Sequence, residues 1–185
     1  MDPNWILKPN YGKSLVNTLS ILIVAKTEFC KLLSEAFIEA HKRRNFKYKL
    51  KSIICADVHD IFRLASEVHV DFVVFVLDTR NKLCLEHVES NLEFIDKCFV
   101  CGRMCLVNAN PQIALSEMNV SVESIRAFRC KYDMPLLNAN IKDVDVCLGL
   151  ADRLLNLVHA NLGVELSTSF IPWLISDHNI DVEDS

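Results

Sequence analysis

Hydrophobic residues along the chain alternate between short continuous runs and segments in which they recur every three or four positions. The clearest run spans residues 19–25, and its nearly unbroken apolar character is typical of a strand covered on both faces of a parallel sheet. Similar runs predict four more strands, of which the last is weaker because it is brief and begins at a proline. These four runs span 50–56, 72–77, 104–108 and 135–139.

The segments between the runs predict helices. Apolar side chains repeat at intervals of three and four in several of them, which span 29–40, 61–68, 85–99 and 122–128. The most regular helix begins near Asp143 and carries its apolar stripe from Cys147 to Leu162. Gly163 follows directly, and glycine is common just beyond the last turn of a helix.

Strand and helix patterns therefore alternate five times along the chain. This alternation predicts an α/β fold with a mainly parallel sheet of five to six strands and helices on both faces. We divide the chain into an N-terminal extension (1–17), one domain (18–162) and a C-terminal tail (163–185) that is first apolar and then acidic. Ligands of such folds bind beyond the carboxyl ends of the strands, so candidate chemistry is expected at that edge.

Charge and hydropathy exclude several functional classes. The formal net charge is -4, and the only basic cluster is 42–44, so a direct nucleic-acid interface is not expected. Neither the N-terminus nor any apolar run has the form of a signal peptide or the length of a membrane span. We expect a soluble intracellular protein without a membrane partner.

The chain contains eight cysteines. Five lie in apolar segments without a secretory signal, which favours buried, reduced thiols over disulfides; they are Cys30, Cys55, Cys105, Cys130 and Cys147. Cys98 and Cys101, followed by Cys105, have a spacing found in zinc sites, but a structural zinc needs four ligands and no second pair follows. His87 and His159 could be recruited only from different helices, so we expect no metal.

A nucleotide site is the first candidate to test. Gly12-Lys13-Ser14 resembles the end of a phosphate-binding loop, but it precedes the first strand, and Leu7 stands where the motif requires a second glycine. The turn that should carry such a loop, within 24–31, contains no glycine, although glycine lets backbone N–H groups wrap a phosphate. Glu28 and Phe29 would also fill the space of a triphosphate. We expect neither nucleotide nor other cofactor.

Asp78 ends the third strand, a position that suits a magnesium ligand or the phosphoacceptor of a bacterial receiver domain. A receiver domain also needs an acidic pair after the first strand, where this chain has Lys26 and Thr27. A turn cap beside Thr79 is therefore the favoured interpretation, and the receiver-like signalling domain is an alternative.

Several segments resemble small GTPases. Residues 71–78 and the helix after them match the stretch in which a buried strand leads to a helix with a polar opening turn. Residues 108–111 stand where a working GTPase carries an Asn-Lys-x-Asp guanine-reading motif, but Ala109 occupies the lysine position and Pro111 the carboxylate position. Residues 135–139 match the strand that delivers the Ser-Ala base contact, without its serine. The resemblance implies a small GTPase-like frame without nucleotide contacts.

Within that superfamily the chain resembles the centromere protein M family, which consists of pseudo-GTPase subunits of the inner kinetochore. The resemblance is carried by 22–24, 71–76 with Lys82, Leu85 and Glu89, 98–106, 135–137 and the tail. It implies a non-catalytic scaffold subunit of the nucleus, located at the centromere and kinetochore, that holds together a complex with centromere proteins I, H and K. A residual nucleotide-binding switch of the small GTPase type is the alternative.

The connection 97–102 is largely apolar, although loops are usually polar, and exposed apolar patches often mark interfaces. It lies at the amino ends of the strands, where the last helix also ends, so the tail should emerge beside it. We expect the partner surface there, formed by Phe99, Val100, Cys101, Leu166, Phe170, Trp173 and Leu174. Alternatively, the tail folds back over its own domain.

Overall fold

The computed structural model describes residues 6–9, 18–64 and 68–162. Its strands are β1 (Thr18–Val24), β2 (Lys49–Cys55), β3 (Phe72–Leu77), β4 (Met104–Asn108) and β5 (Leu136–Asn138). All pair in parallel, in the order β2-β1-β3-β4-β5. The helices are α1 (Thr27–Arg44), α2 (Val58–Leu64), α3 (Cys84–Leu92), α4 (Val122–Tyr132) and α5 (Val144–Leu162).

The helices cover both faces of this sheet, and each face has its own hydrophobic core. On one face, α1 and α5 bury side chains such as Phe37 and Leu154. On the other face, α2, α3 and α4 pack with side chains such as Val88 and Phe128. The predicted α/β class with a parallel sheet is confirmed, and the arrangement is consistent with a small GTPase-like fold.

The strands differ in burial according to their place in the sheet. Every residue of β3 and of β4 is buried, as expected for central strands. β2 lies at an edge, and its residues are at most partly buried. The expectation that this strand is covered on both faces is therefore wrong, since Lys49 and Lys51 are exposed.

Residues 6–9, which the sequence pattern assigns to an N-terminal extension, pack against the domain. Leu7 is 1% exposed and belongs to the core beside α3. Its N–H donates to the carbonyl of Phe94 at 2.7 Å, and its carbonyl accepts from the N–H of Asp96 at 2.9 Å. Pro9 forms a similar bridge with Val70. Residues 6–9 are thereby fixed beside residues 94–96, which lead into the 97–102 connection.

All eight cysteines are free thiols. Cys30, Cys105 and Cys147 are buried as predicted, whereas Cys55 is only half-buried, because it ends the edge strand β2, and Cys130 is exposed. The prediction for Cys130 is wrong because α4 turns Ile125 and Phe128 towards the core and leaves position 130 outside. Burial raises the pKa of Cys147 to about 11, which keeps this thiol protonated at neutral pH.

Among the described residues, no helix combines the length and the apolar character needed to cross a membrane.

The packing of Leu7 gives a first prediction. Leu7→Ala should lower the free energy of unfolding by about 2–5 kcal/mol, because it leaves a cavity in the core. The neighbouring Ile6→Ala should change it by about 0.5 kcal/mol or less, since Ile6 is 43% exposed. Denaturant titration followed by circular dichroism measures both values. Equal effects of the two changes would show that residues 6–9 do not pack as described.

Candidate functional site

The carboxyl edge of the sheet is where a ligand of this fold class would bind. The turn between β1 and α1 lies there, and Lys26 is the residue that precedes the first helical turn. Lys26, Thr27 and Glu28 are exposed, and no glycine occurs between residues 18 and 64. The turn therefore lacks the glycine-built concavity of backbone N–H groups that holds phosphate.

The centre of this edge is occupied by the carboxylate of Asp78, which is 6% exposed. Lys26 Nζ lies 3.1 Å from Oδ2. Arg80 Nε donates to Oδ1 at 2.9 Å, and Arg80 Nη2 donates to Oδ2 at 3.1 Å. Asn110 Nδ2 donates to Oδ1 at 3.1 Å. We call Lys26, Asp78, Arg80 and Asn110 the carboxyl-edge cluster.

The cluster fixes the charge state of Asp78. Burial alone would raise the pKa of this carboxyl group, but hydrogen bonds from Arg80 and Lys26 outweigh it and lower the pKa to about 2. Asp78 is therefore ionised at neutral pH, and both of its oxygens are engaged by the chain's own donors. A magnesium ion or a phosphoryl group would have to displace these donors first.

The turn role predicted for Asp78 is confirmed, because its Oδ1 accepts the backbone N–H of Arg80 at 3.3 Å. The sequence pattern predicts no contact of Arg80 or Asn110 with Asp78. Strand topology was the available signal for Asn110, since β3 and β4 are neighbours and residues that follow them meet at the same edge.

The position of the guanine-reading motif is held by amide hydrogen bonds within the chain, beside a cavity of about 470 Å³ that Asn108, Arg126 and Asn138 line. Asn108 ends β4 and is 7% exposed. Its Nδ2 donates to Asn138 Oδ1 at 3.2 Å, and its Oδ1 accepts from the N–H of Asn110 at 3.3 Å. Ala109, in the position of the motif's lysine, is fully buried. The amides at this edge are thus bonded to one another.

The opposite edge of the sheet carries the predicted partner surface, and there the structure corrects one residue. Phe99 is fully buried and belongs to the core beside α3. It ends a short 3-10 helix, Lys97–Phe99, whose first turn is capped by Asp96. Phe99 therefore belongs to the hydrophobic core and not to the surface, although it lies in the same apolar connection as Val100 and Cys101.

Val100 and Cys101 are exposed at the tip of the connection. Val100 is 37% exposed, and Gly102 reverses the chain after it with a φ of 80°, a value in the left-handed region that favours glycine. The N–H of Gly102 donates to the carbonyl of Val100 at 2.8 Å. This tight turn is what points the two side chains away from the core.

The last turn of α5 lies against this tip. Asn161 Nδ2 donates to the carbonyl of Gly102 at 2.6 Å, and a Cβ at position 102 would lie 3.3 Å from Asn161 Cγ. The last described turn of α5 therefore lies beside the turn that carries Val100 and Cys101, at the end of the sheet where the sequence predicts that this helix ends. We call Val100, Cys101 and residues 159–162 the amino rim. Four predicted members of the partner surface lie outside the described residues: Leu166, Phe170, Trp173 and Leu174.

An aromatic cluster that the sequence pattern did not reveal fixes the end of α5. Tyr48 Oη and His159 Nε2 are 2.6 Å apart, and the ring of Phe46 meets that of His159 edge-on at 4.7 Å. Burial lowers the pKa of His159, and the nearby Arg44 and His41 lower it further. His159 is therefore neutral at neutral pH, and α5 is tied to the start of β2.

The three cysteines in and after the 97–102 connection differ in burial. Cys98 and Cys101 are exposed, whereas Cys105 is buried within β4. Among the described residues, no group of three or more His, Cys, Asp or Glu side chains could hold a metal ion.

A comparison with known protein families shows which family the chain belongs to. The model of the family described as Centromere protein M (CENP-M) matches residues 6–175, which is most of the chain. The chain belongs to the CENP-M family. Comparison with curated proteins finds no match.

Membership in the CENP-M family makes the chain a centromere and kinetochore protein. The matched range begins at the segment that carries Leu7 and includes the apolar part of the tail, with Leu166, Phe170, Trp173 and Leu174. It ends before the acidic residues that start at Asp177. The matched range thus includes all residues of the amino rim.

The carboxyl-edge cluster predicts a pH dependence of stability. The pKa of Asp78 is about 2 in the folded chain against an ordinary value of 3.8, so its contribution is present above about pH 4 and is lost as the pH falls towards 2. Because Lys26 is 58% and Arg80 44% exposed, solvent weakens the pairing. Asp78→Asn should lower the free energy of unfolding at pH 7 by about 1–2 kcal/mol.

Urea titrations of both proteins between pH 2 and pH 7 measure this difference, which should shrink below about pH 4 and be mostly lost by pH 2. Glu39→Gln, which removes an exposed carboxylate outside the first and last turns of α1, is the control and should show little difference at any pH. A deficit of Asp78→Asn that stays constant down to pH 2 would contradict the ionic role of Asp78.

The correction at Phe99 gives another prediction. Phe99→Ala should lower the free energy of unfolding by about 3–5 kcal/mol, as expected for a fully buried phenylalanine. Val100→Ala should change it by about 0.5 kcal/mol or less. Thermal or chemical unfolding measures both changes. If Phe99→Ala is as mild as Val100→Ala, Phe99 is a surface residue after all.

Proposed function

We propose that this CENP-M family chain is a non-catalytic scaffold subunit of the inner kinetochore. It binds and stabilises centromere protein I and, through that protein, a complex with centromere proteins H and K. Kinetochore assembly and chromosome segregation are the processes that this role serves. The observation that carries the proposal is the amino rim, where exposed apolar side chains stand beside the origin of an apolar tail in a chain that belongs to a centromere protein family.

The rim has the features of a protein interface. Val100 and Cys101 project from a turn that is stabilised by two hydrogen bonds, from the N–H of Gly102 to Val100 and from the amide of Asn161 to Gly102. Aromatic side chains such as Trp173 commonly anchor protein interfaces, and Trp173 lies only 11 residues beyond Leu162. A rigid apolar tip next to an apolar segment rich in large side chains suits a protein partner.

The carboxyl edge supports the non-catalytic part of the proposal. A GTPase needs an open cradle for phosphates and a free carboxylate for magnesium. Here Asp78 is saturated by Lys26, Arg80 and Asn110, and the turn after β1 offers no glycine. Lys26 and Arg80 could bind an anionic ligand, but both pair with the carboxylate of Asp78 instead.

Charge substitution on the rim tests the partner surface. Val100→Glu and Trp173→Glu should each reduce copurification of centromere protein I more than tenfold, because an unpaired charge in a buried interface costs several kcal/mol. Val122→Glu is the matched control, since Val122 is an exposed valine of α4, 46% exposed. The measurement is quantitative coexpression and affinity purification, with melting of each variant recorded in parallel.

Three outcomes of this experiment contradict the proposal. Rim variants that fold and still copurify normally would place the interface elsewhere. A Trp173→Glu chain that unfolds would show that the tail packs on its own domain. A Val122→Glu chain that loses the partner as completely as Val100→Glu would show that the loss is not specific to the rim. Substitution of Lys26 by Ala should leave the complex intact.

The alternative function, a residual nucleotide-binding switch, has its own test. Isothermal titration calorimetry of the intact chain with GTP and Mg²⁺ should give no binding heat, because no anion cradle follows β1. A dissociation constant in the micromolar range or tighter would overturn the pseudo-GTPase assignment, even if the rim variants behaved as expected.

A further inference from the structure

The outer edge of β2 is unpaired within the described part of the chain. Among the described strands only β1 pairs with β2. The carbonyl of Cys55 accepts the N–H of Ala25 at 3.0 Å, so the odd-numbered residues of β2 bond to β1 and the even-numbered residues face outwards. The outward N–H and C=O groups of Leu50, Ser52 and Ile54 have no hydrogen-bond partner among the described residues. Such an edge is a template for a further strand.

The two faces of β2 differ in chemistry, because successive side chains of a strand point to opposite faces. One face carries Lys49 and Lys51, which are exposed, and then Ile53. The other face carries Leu50, which packs on the core below α1 and α5, and Ile54, which is 44% exposed. A strand added to this edge fits both faces if its acidic side chains alternate with apolar ones.

The positive charge of this edge is not offset by the surrounding sequence. Residues 40–56 contain six lysines and arginines but no aspartate or glutamate. None of the ion pairs among the described residues involves Lys49 or Lys51. The residues opposite these two lysines on β1 are uncharged. The lysines therefore offer their charge to a neighbour on the outer side of β2.

The carboxylates that flank β2 in the fold are engaged or distant. Asp71 is 7% exposed, and its carboxylate accepts the N–H of Ser20 at 2.8 Å. Burial, with smaller contributions from charges that include Asp57 and Asp60, raises the pKa of Cys55 to about 12. These two carboxylates thus lie at the carboxyl end of β2, which is about 13 Å from the nearer of the two lysines. Salt screens exposed charges over about 8–10 Å.

The sequence 179–184 has the pattern that this edge requires. Ile180 and Val182 alternate there with Asp181 and Glu183. Such alternation, with β-branched residues at the apolar positions, is typical of a half-buried strand. No lysine or arginine occurs between 163 and 185. When the two acidic residues stand beside the lysines of β2, Val182 stands beside Leu50.

The end of α5 lies close to the start of β2, so the tail can reach this edge. Tyr48 directly precedes β2, and its Oη lies 2.6 Å from Nε2 of His159 near the end of α5. Residues 163–178 separate α5 from the acidic alternation, and a segment of that length spans up to about 50 Å when extended. A strand that starts at this end of the sheet and crosses it runs parallel to β2.

A strand at this edge also satisfies the handedness of parallel connections. α1 and α5 cover the same face of the sheet, and the connections β1–α1–β2 and β5–α5–new strand run in the same direction across it. Both connections therefore have the same hand, and nearly all connections between parallel strands are right-handed. A parallel strand beyond β5, at the other edge, would need the opposite hand.

We propose that residues 179–184 of this chain add to the outer edge of β2 as a sixth strand of the sheet, parallel to β2. The two carboxylates of the segment pair with Lys49 and Lys51, and its valine packs beside Leu50. Because the segment belongs to the same chain, its effective concentration at the edge is about millimolar. Residues 166–175 stay available to the amino rim, so the proposal does not depend on the proposed function.

Amide hydrogen exchange of the isotopically labelled full chain, followed by NMR, tests this strand. The outward N–H groups of Leu50 and Ser52 should exchange at least about tenfold more slowly in the unaltered chain than in Asp181→Lys/Glu183→Lys, which places like charges side by side. The inward N–H of Lys51 should exchange equally in both proteins, because β1 protects it in either case.

A control variant separates the added strand from the net charge of the tail. Glu165→Lys/Asp177→Lys makes the same change in charge within the tail but outside 179–184. It should leave the exchange of Leu50 and Ser52 within about twofold of the unaltered chain. An equal loss of protection in this control and in the 181/183 variant would overturn the pairing and attribute the effect to net charge.

A reciprocal exchange of charges tests the pairing itself. Lys49→Glu/Lys51→Glu should remove the protection of the outward amides of β2. Combining it with Asp181→Lys/Glu183→Lys should restore most of that protection, because the same pairs form with opposite signs. A combined variant that folds but stays as unprotected as either parent would contradict the proposed register.

Two further results would overturn the proposal. If Leu50 and Ser52 exchange as fast in the unaltered chain as in the tail variants, the edge is open in the isolated chain and only another protein covers it. Protection that falls on dilution, together with a dimer in sedimentation velocity, would show that a second copy of the chain covers the edge.

Discussion

The carboxyl edge of the sheet depends on how the buried carboxylate of Asp78 is neutralised. Asp78 stands at the end of a fully buried strand, and an ionised carboxylate in such a place needs charged or hydrogen-bonding partners. Lys26 and Arg80 provide the charge and Asn110 adds a hydrogen bond. Because these residues follow three neighbouring strands, the cluster also joins the carboxyl ends of β1, β3 and β4. At the edge of the sheet that binds ligands in related folds, this chain therefore has ion pairs and hydrogen bonds among its own side chains.

Neutralisation of Asp78 by the chain's own side chains is consistent with a function that lies elsewhere on the surface. The amino rim has the opposite character, since a turn with a left-handed glycine exposes Val100 and Cys101, and an amide of α5 fixes their orientation. The aromatic cluster around His159 and the bridge at Leu7 hold the adjoining segments in place. In a CENP-M family protein, a rigid rim beside an apolar tail agrees with a role in holding partner subunits.

Much of the fold could be predicted because its signals are local. Continuous apolar runs gave all five strands, and the stripe from Cys147 to Leu162 gave α5 nearly to the residue. It was harder to predict which side chains of those elements are buried, since burial depends on the other elements that pack against them. The run at 50–56 resembles a central strand in sequence, but β2 is an edge strand. Cys130 follows the apolar residues of α4 and yet faces outwards.

The site residues were predictable only in part, for a related reason. The sequence places Phe99 and Val100 side by side in an apolar connection, but only the capped 3-10 turn decides that the first is buried and the second exposed. The contacts of Asp78 with Lys26 and Asn110 span 52 and 32 residues, and no periodicity encodes such distances. The pairing of Leu7 with Ile95 is an isolated bridge, which leaves no pattern in the sequence.

The most direct test of whether the partner binds at the amino rim and not at the carboxyl edge is hydrogen–deuterium exchange of the full chain, alone and with centromere protein I. Binding should slow exchange in 97–102, in the last turn of α5 and in the tail, and should leave 25–28, 78–81 and 108–111 unchanged. Protection confined to those carboxyl-edge segments, with none at 97–102 or in the tail, would contradict the assignment of partner binding to the amino rim.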